Sequence, residues 1–293
     1  MFVVLVGGVA FALGYLFDFG FVAVPFAIVV AVGMAWGSYF YSDRIALAAS
    51  RAKPADGPQY RRYHNLVEGL CIAAGLPKPR LYIVDDPAPN AFATGRNPKH
   101  AALAVTTGLL EIMNRVELEG VIAHELSHVK NYDILVSTIA VTAVGALALM
   151  ADVGLRFMWW GGRSSRRDNN SNSQLGAIIA ILALALLVLA PFVAQLMQFA
   201  MSRRRELLAD ASGVQLTRYP PGLISALEKL EGDKAVVHNA TRATAQLWIE
   251  SPLDRDQENK ARQHKKGKKG SWLNRAFDTH PPLADRIAAL KAM

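Results

Sequence analysis

Four stretches of the chain are almost free of charge: residues 2–17, 19–41, 134–160 and 175–201. A bilayer core about 30 Å thick takes about 20 helical residues at 1.5 Å each. The last three stretches are long enough to cross with some tilt, while the first is slightly short and is followed by Asp18. Asp152 and Arg156 lie four apart near the far end of the third stretch. They share one helical face, where they can pair or sit at the interface. The stretches form two hairpins, one turning at Asp18 and one through the polar sequence GGRSSRRDNNSNSQ. The first stretch has no basic residues ahead of it and a full span follows almost at once, so it reads as a retained anchor and not as a cleaved leader.

Between and after the hairpins the apolar spacing shortens to helical and strand periods. Residues 60–74 carry an amphipathic helical pattern, and RLYIVD (80–85), NAFATG (90–95) and HAALAVT (100–106) read as short strands separated by turn signals. An amphipathic helix is predicted over 117–132, and further helix over 202–231, broken at YPPG (219–222). Residues 250–270 are polar and charged, which predicts a mobile loop. PPLADRIAAL closes the chain as a helix with Pro281 and Pro282 at its start. The expected fold is an α+β integral membrane protein, mostly helical, with four transmembrane helices in two hairpins and a small β-sheet. Its expected parts are an N-terminal hairpin (1–41), a catalytic part (42–133), a second hairpin (134–201) and a closing part (202–293).

Composition agrees with this pattern. Hydrophobic residues make up 52% of the chain and the mean hydropathy is +0.19, and the excess sits in the four runs. The net charge of +8 comes partly from Arg203, Arg204 and Arg205 and from KKGKK at 265–269. No nucleic-acid-binding motif accompanies it, so the partner expected is the lipid bilayer. Arg44, Arg51 and Lys53 follow the second run and the triple arginine follows the fourth, which places 42–133 and the chain after 201 in the cytoplasm. Arg163, Arg166 and Arg167, partly offset by Asp168, argue the other way. The single cysteine, Cys71, excludes an intramolecular disulfide and any multi-cysteine metal site.

The candidate chemistry lies in HELSH, residues 124–128. His124 and His128 are one turn apart on one helical face and can reach one tetrahedral zinc. Glu125 projects beside them and can take a proton from water without ligating the metal. The alternative is a pair of solvated helical histidines. A third ligand is needed, and the metzincin extension is excluded because its Gly and His positions hold Asn131 and Ile134. A hairpin of two crossings returns the chain to the side it left, which brings SRRRELLAD next to the histidines. Glu206 can then be the third ligand, and Asp210, one turn on, can hold a histidine tautomer. The alternative is that both carboxylates only balance the arginines before them.

NAFATG, HELSHVKNYD, SRRRELLADASG and THPPLADRIAAL, in this order around an apolar hairpin, resemble the HtpX-type membrane zinc endopeptidases, bacterial relatives of the CAAX prenyl protease. The resemblance spans nearly the whole chain; KKGKKG, before His280, departs from it locally. It implies a gluzincin-like catalytic core and a multi-pass protein of the bacterial inner membrane with its active site facing the cytoplasm. It also implies one Zn2+ per chain and hydrolysis of misfolded membrane proteins in quality control. On this resemblance His124, His128 and Glu206 bind zinc and Glu125 is the general base. Asn90, Ala91, Phe92 and Ala93 resemble the edge strand that pairs with an extended substrate, or form an ordinary edge strand. His280 steadies the oxyanion, or is a histidine at a helix start. The rival functions are a processing protease for one partner or a prenylated tail, and a membrane scaffold with structural zinc. The second has no need of Glu125.

Overall fold

The computed structural model describes residues 29, 36–37, 39–41, 43–139, 203–233, 235, 237, 247–249 and 282–293. Most of the four apolar runs, the two hairpin turns, the 250–270 segment and His280 lie outside the described residues. No helix among those described is long and apolar enough to cross a membrane. The chain divides into two units, residues 1–41 with 142–196 and residues 42–141 with 197–293. All the elements below belong to the second.

A four-stranded mixed sheet runs in the order β1-β2-β4-β3. β1 is Lys53–Pro54, β2 Arg80–Val84, β3 Ala91–Gly95 and β4 Ala101–Thr106. The last three are the strands that the alternation predicts, while the two-residue β1 carries no pattern of its own. β2 lies parallel to β4 and β3 antiparallel to it. Central β4 is buried throughout, and its side chains alternate between two cores as the pleat requires. Ala101, Leu103 and Val105 face one apolar cluster with Ala91 and Ala93, whereas Ala102 and Ala104 face another with Phe92 and Trp248.

Helices cover the first face. α1 (Arg61–Ala74) sets Tyr63, Val67, Leu70 and Cys71 inward, and the Tyr63 hydroxyl donates to the Leu103 carbonyl at 3.1 Å. Burial raises the Cys71 thiol to about 11, which leaves it an inert apolar filler. The short α2 (Thr107–Ile112) follows β4 directly. Then comes α3 (Arg115–Lys130), against which α4 (Arg203–Thr217) and α5 (Pro220–Gly232) pack, with α6 (Leu283–Lys291) lying against α5 and α4. The YPPG break separates α4 from α5 as the sequence predicts, with proline at the start of α5.

The pattern over 117–132 predicts an amphipathic helix; the structure buries it all round. From 117 to 129 only Glu119 and His128 keep partial exposure, because α4 and α5, from distant parts of the chain, cover the polar side. The helix also ends earlier than predicted, at a turn through Asn131 and Tyr132, where Tyr132 takes φ 61°. Its start is a reciprocal cap: Asn114 Oδ1 accepts from Glu117 N at 3.0 Å and Glu117 Oε2 accepts from Asn114 N at 2.8 Å. Glu117 also accepts from Ser225 Oγ at 2.7 Å and Lys229 Nζ at 2.6 Å, so the cap pins α5 to α3. Burial pushes its pKa up, but these donors outweigh burial and hold it below the usual range.

Asn114→Ala is expected to cost about 1 kcal/mol of stability. Glu117→Ala should cost more, because it also strands Ser225 and Lys229. With its folded pKa lowered, Glu117 stabilises the fold above its unfolded pKa, and that contribution is lost as pH falls through the folded value. Denaturant unfolding in detergent at pH 7 and pH 4 checks this. The gap between wild type and Glu117→Ala should narrow at the lower pH.

Candidate metal centre

α3 presents His124 and His128 one turn apart, and a carboxylate holds the far nitrogen of each. His124 Nδ1 lies 2.8 Å from Asp210 Oδ1, and His128 Nδ1 lies 2.8 Å from Asp133 Oδ2. With an acceptor on each Nδ1, the proton of a neutral imidazole belongs there, and both Nε2 lone pairs are left pointing inward. The two Nε2 atoms are 3.2 Å apart. Glu206 closes a triangle, with Oε1 at 3.5 Å from His128 Nε2 and Oε2 at 3.7 Å from His124 Nε2. A tetrahedral zinc with bonds of about 2.0–2.1 Å holds its donors about 3.3–3.4 Å apart. These three residues are the group among the described residues that could hold a metal ion.

Glu206 reaches this point because of how α4 packs. Its buried residues are Glu206, Ala209, Asp210 and Gly213, a stripe at i, i+3, i+4 and i+7 that contains no large apolar side chain. Small residues let the helix axis approach α3 closely. A β-carbon at Gly213 would lie 3.0 Å from the His124 amide nitrogen and 3.3 Å from its Cα. The carboxylates therefore meet the histidines through backbone contact, without an apolar layer between them.

The centre is buried and acidic. Glu125, Asp133, Glu206 and Asp210 are each less than 5% exposed. Two arginines answer them. Arg205 pairs with Asp133, and Arg286, fully buried, donates to Asp210 through Nε at 2.8 Å and Nη2 at 2.6 Å. Carboxylates outnumber guanidiniums in this cluster, which suits a bound cation. Burial opposes charge on His128, but Asp133, Glu206 and Glu125 outweigh it and lift its pKa to about 9. The site thus draws positive charge onto itself. Burial first, and then the Glu206 charge, raise Glu125 above the usual carboxylate range against the lowering influence of the histidines and Arg286. Burial would also raise Asp210, yet Arg286 and His124 hold it well below that range.

Of the residues singled out in the sequence, His124, Glu125, His128, Glu206 and Asp210 come together here. Of the arginines before Glu206, Arg203 and Arg204 are exposed and Arg205 pairs with Asp133. Asn90 precedes β3, where its Oδ1 accepts from Ala91 N at 3.0 Å, and Ala91, Phe92 and Ala93 lie in β3, an edge strand. That edge is touched at both ends by the chain itself. Ile249 N donates to the Ala91 carbonyl at 2.9 Å, and Gly95 N donates to Thr138 Oγ1 at 3.2 Å. His280 lies outside the described residues. Sequence reasoning missed Asp133, although NYD follows the histidines directly. It also missed Arg286, whose signal is an arginine among Leu283, Ile287 and Leu290 on the inward face of α6.

Sequence comparison adds an independent line. The pattern of "Peptidase family M48" matches residues 58–293. A protein named "Protease HtpX homolog" from Caldanaerobacter subterraneus subsp. tengcongensis is 43% identical over 298 residues, covering 100% of this chain and 93% of its own. A protein of the same name from Tropheryma whipplei (strain TW08/27) is 47% identical over 268 residues, covering 92% of this chain and 84% of its own. Among solved structures, the crystal structure of S. mikatae Ste24p aligns with a TM-score of 0.47 at 17% identity, over 90% of this chain and 57% of that one.

Gly213→Val should force α4 away from the α3 backbone and cost about 1–3 kcal/mol as overpacking, with metal retention falling alongside. Gly69→Ala, in the middle of α1 where an added β-carbon meets nothing within 4 Å, is the control: it should leave metal retention unchanged and raise stability by about 0.5–1 kcal/mol. Metal analysis and unfolding of the two purified variants decide it.

Proposed function

The chain belongs to peptidase family M48 and is a metalloprotease of membrane context, and from that premise we propose that it is an endopeptidase using one zinc ion per chain, held by His124, His128 and Glu206. The observation that carries the site assignment is the triangle of donor atoms 3.2, 3.5 and 3.7 Å apart beside a buried Glu125. The acidic, buried surroundings fit a divalent cation. A buried carboxylic acid next to such a triangle has no part in a purely structural site, which favours catalysis over scaffolding.

Zinc bound there supplies a Lewis acid for the scissile carbonyl and lowers the pKa of water to about 7. Glu125, its proton affinity raised by burial, takes the proton from the attacking water and returns it to the departing amine as the C–N bond breaks. Asp210 and Asp133 keep the proton of each histidine on Nδ1, so that both Nε2 atoms stay available. The β3 edge at Asn90 to Ala93 takes an extended polypeptide by strand addition. His280, shortly before Arg286 in the chain, steadies the developing oxyanion. The proposed setting is the bacterial inner membrane, crossed several times, with 42–133 and the chain after 201 in the cytoplasm. The proposed substrates are misfolded membrane proteins presented near the bilayer surface.

His124→Ala, His128→Ala and Glu206→Ala are expected to lose zinc, while Glu125→Gln keeps it and fails to cleave an unfolded polypeptide in detergent. Metal analysis and a cleavage assay test this division of roles. A zinc-free Glu125→Gln, or a fully metallated Glu206→Ala, overturns it.

For orientation, an impermeant thiol reagent applied to intact cells should label a cysteine introduced in the 161–174 loop but not one at 260. Native Cys71, buried with its pKa near 11, should stay silent in both. The reverse labelling would place the catalytic part outside.

A further inference from the structure

Arg286 has no exposed surface, and a buried guanidinium persists only where its donors are all used. Its Nε and Nη2 form a two-pronged bond to both oxygens of Asp210, and Asp210 Oδ1 is the same atom that holds His124 Nδ1. Nη2 also lies 3.3 Å from His124 Nδ1 and 3.4 Å from Nε2, against the ring. Nη1 donates to the Ile249 carbonyl at 3.4 Å, and the amide of Ile249 is the donor to Ala91 on the β3 edge. One side chain of α6 therefore touches the carboxylate behind a histidine, the histidine itself and the segment lying on β3.

We infer that Arg286 is a positioning residue of the metal centre: it fixes the plane of the Asp210 carboxylate, and through it the orientation of His124, so that the Nε2 lone pair points at the metal. The inference rests on the zinc site proposed above. A carboxylate bound at one oxygen only can swing about its last torsion; one gripped at both oxygens by a planar fork cannot. The geometry competes with a plain electrostatic role, and the two differ in sign. Arg286 lies 3.6 Å from Glu206 Oε2, so as mere positive charge it opposes a cation, and removing it should tighten metal binding. As a positioning group its removal should loosen it.

The test follows zinc release from full-length, detergent-purified, metal-loaded protein to a chromogenic chelator. Arg286→Gln is expected to release zinc about 10–100-fold faster than wild type, the usual effect of losing a group behind a ligand. Arg286→Lys, with the charge but not the fork, should fall between them. Arg286→Gln combined with Asp210→Asn should be no faster than Asp210→Asn alone, since the arginine acts through that carboxylate. Release from Arg286→Gln at or below the wild-type rate, or independent effects that multiply in the double variant, overturns the inference. If Arg286→Gln does not fold, Arg286→Lys carries the test, and a wild-type release rate from it is equally fatal. Wild-type protein that holds no zinc would instead overturn the site reading itself.

Discussion

Two imidazole nitrogens 3.2 Å apart, each with its other ring nitrogen held by a carboxylate, set the spacing on which the candidate centre depends. The rest of the unit keeps that spacing. α3 is buried nearly all round, so the rings cannot swing out to water. Gly213 lets α4 lie against the α3 backbone, close enough for Glu206 to complete the triangle. The reciprocal cap at Asn114 and Glu117 starts α3 at a defined residue and fastens α5 to it.

The sheet and the residues of the candidate site were legible in the sequence for different reasons. Strand alternation at 80–84, 91–95 and 101–106 is a local signal, and each strand found its partner within 30 residues. HELSH is also local, since a helix fixes the distance between its two histidines. Glu206 was reached by topology, because a chain that leaves and returns must bring residues after 201 back to those near 134. The remaining polar partners were hidden because they depend on tertiary distances. Arg286 looks like an ordinary surface arginine until α6 is docked. The wholly buried character of α3 was hidden for the same reason, since a helix with charged residues on one side reads as solvent-facing until other helices cover that side. β1 has only two residues and is too short for any period.

The strand proposed to take the substrate, β3, is the last in the sheet order. An unpaired strand edge is a hazard in most proteins, and here it is enclosed instead of blunted. β3 is buried along its whole length. Ile249 takes one end and the Thr138 hydroxyl the other, so the outward backbone groups of Ala93 lie between two occupied ends. Main-chain pairing there would be narrow, and discrimination among polypeptides would fall to whatever flanks that window.

The distance between His124 and Arg286 along the chain also orders events in time. The two are 162 residues apart, and a ribosome adding about 5–20 residues per second takes on the order of ten to thirty seconds to pass from one to the other. During that interval the nascent protein carries both histidines and Glu125, but it lacks the guanidinium that grips Asp210. The hydrogen-bonded centre is therefore completed only after the 162 residues that separate the histidine from the arginine have been made.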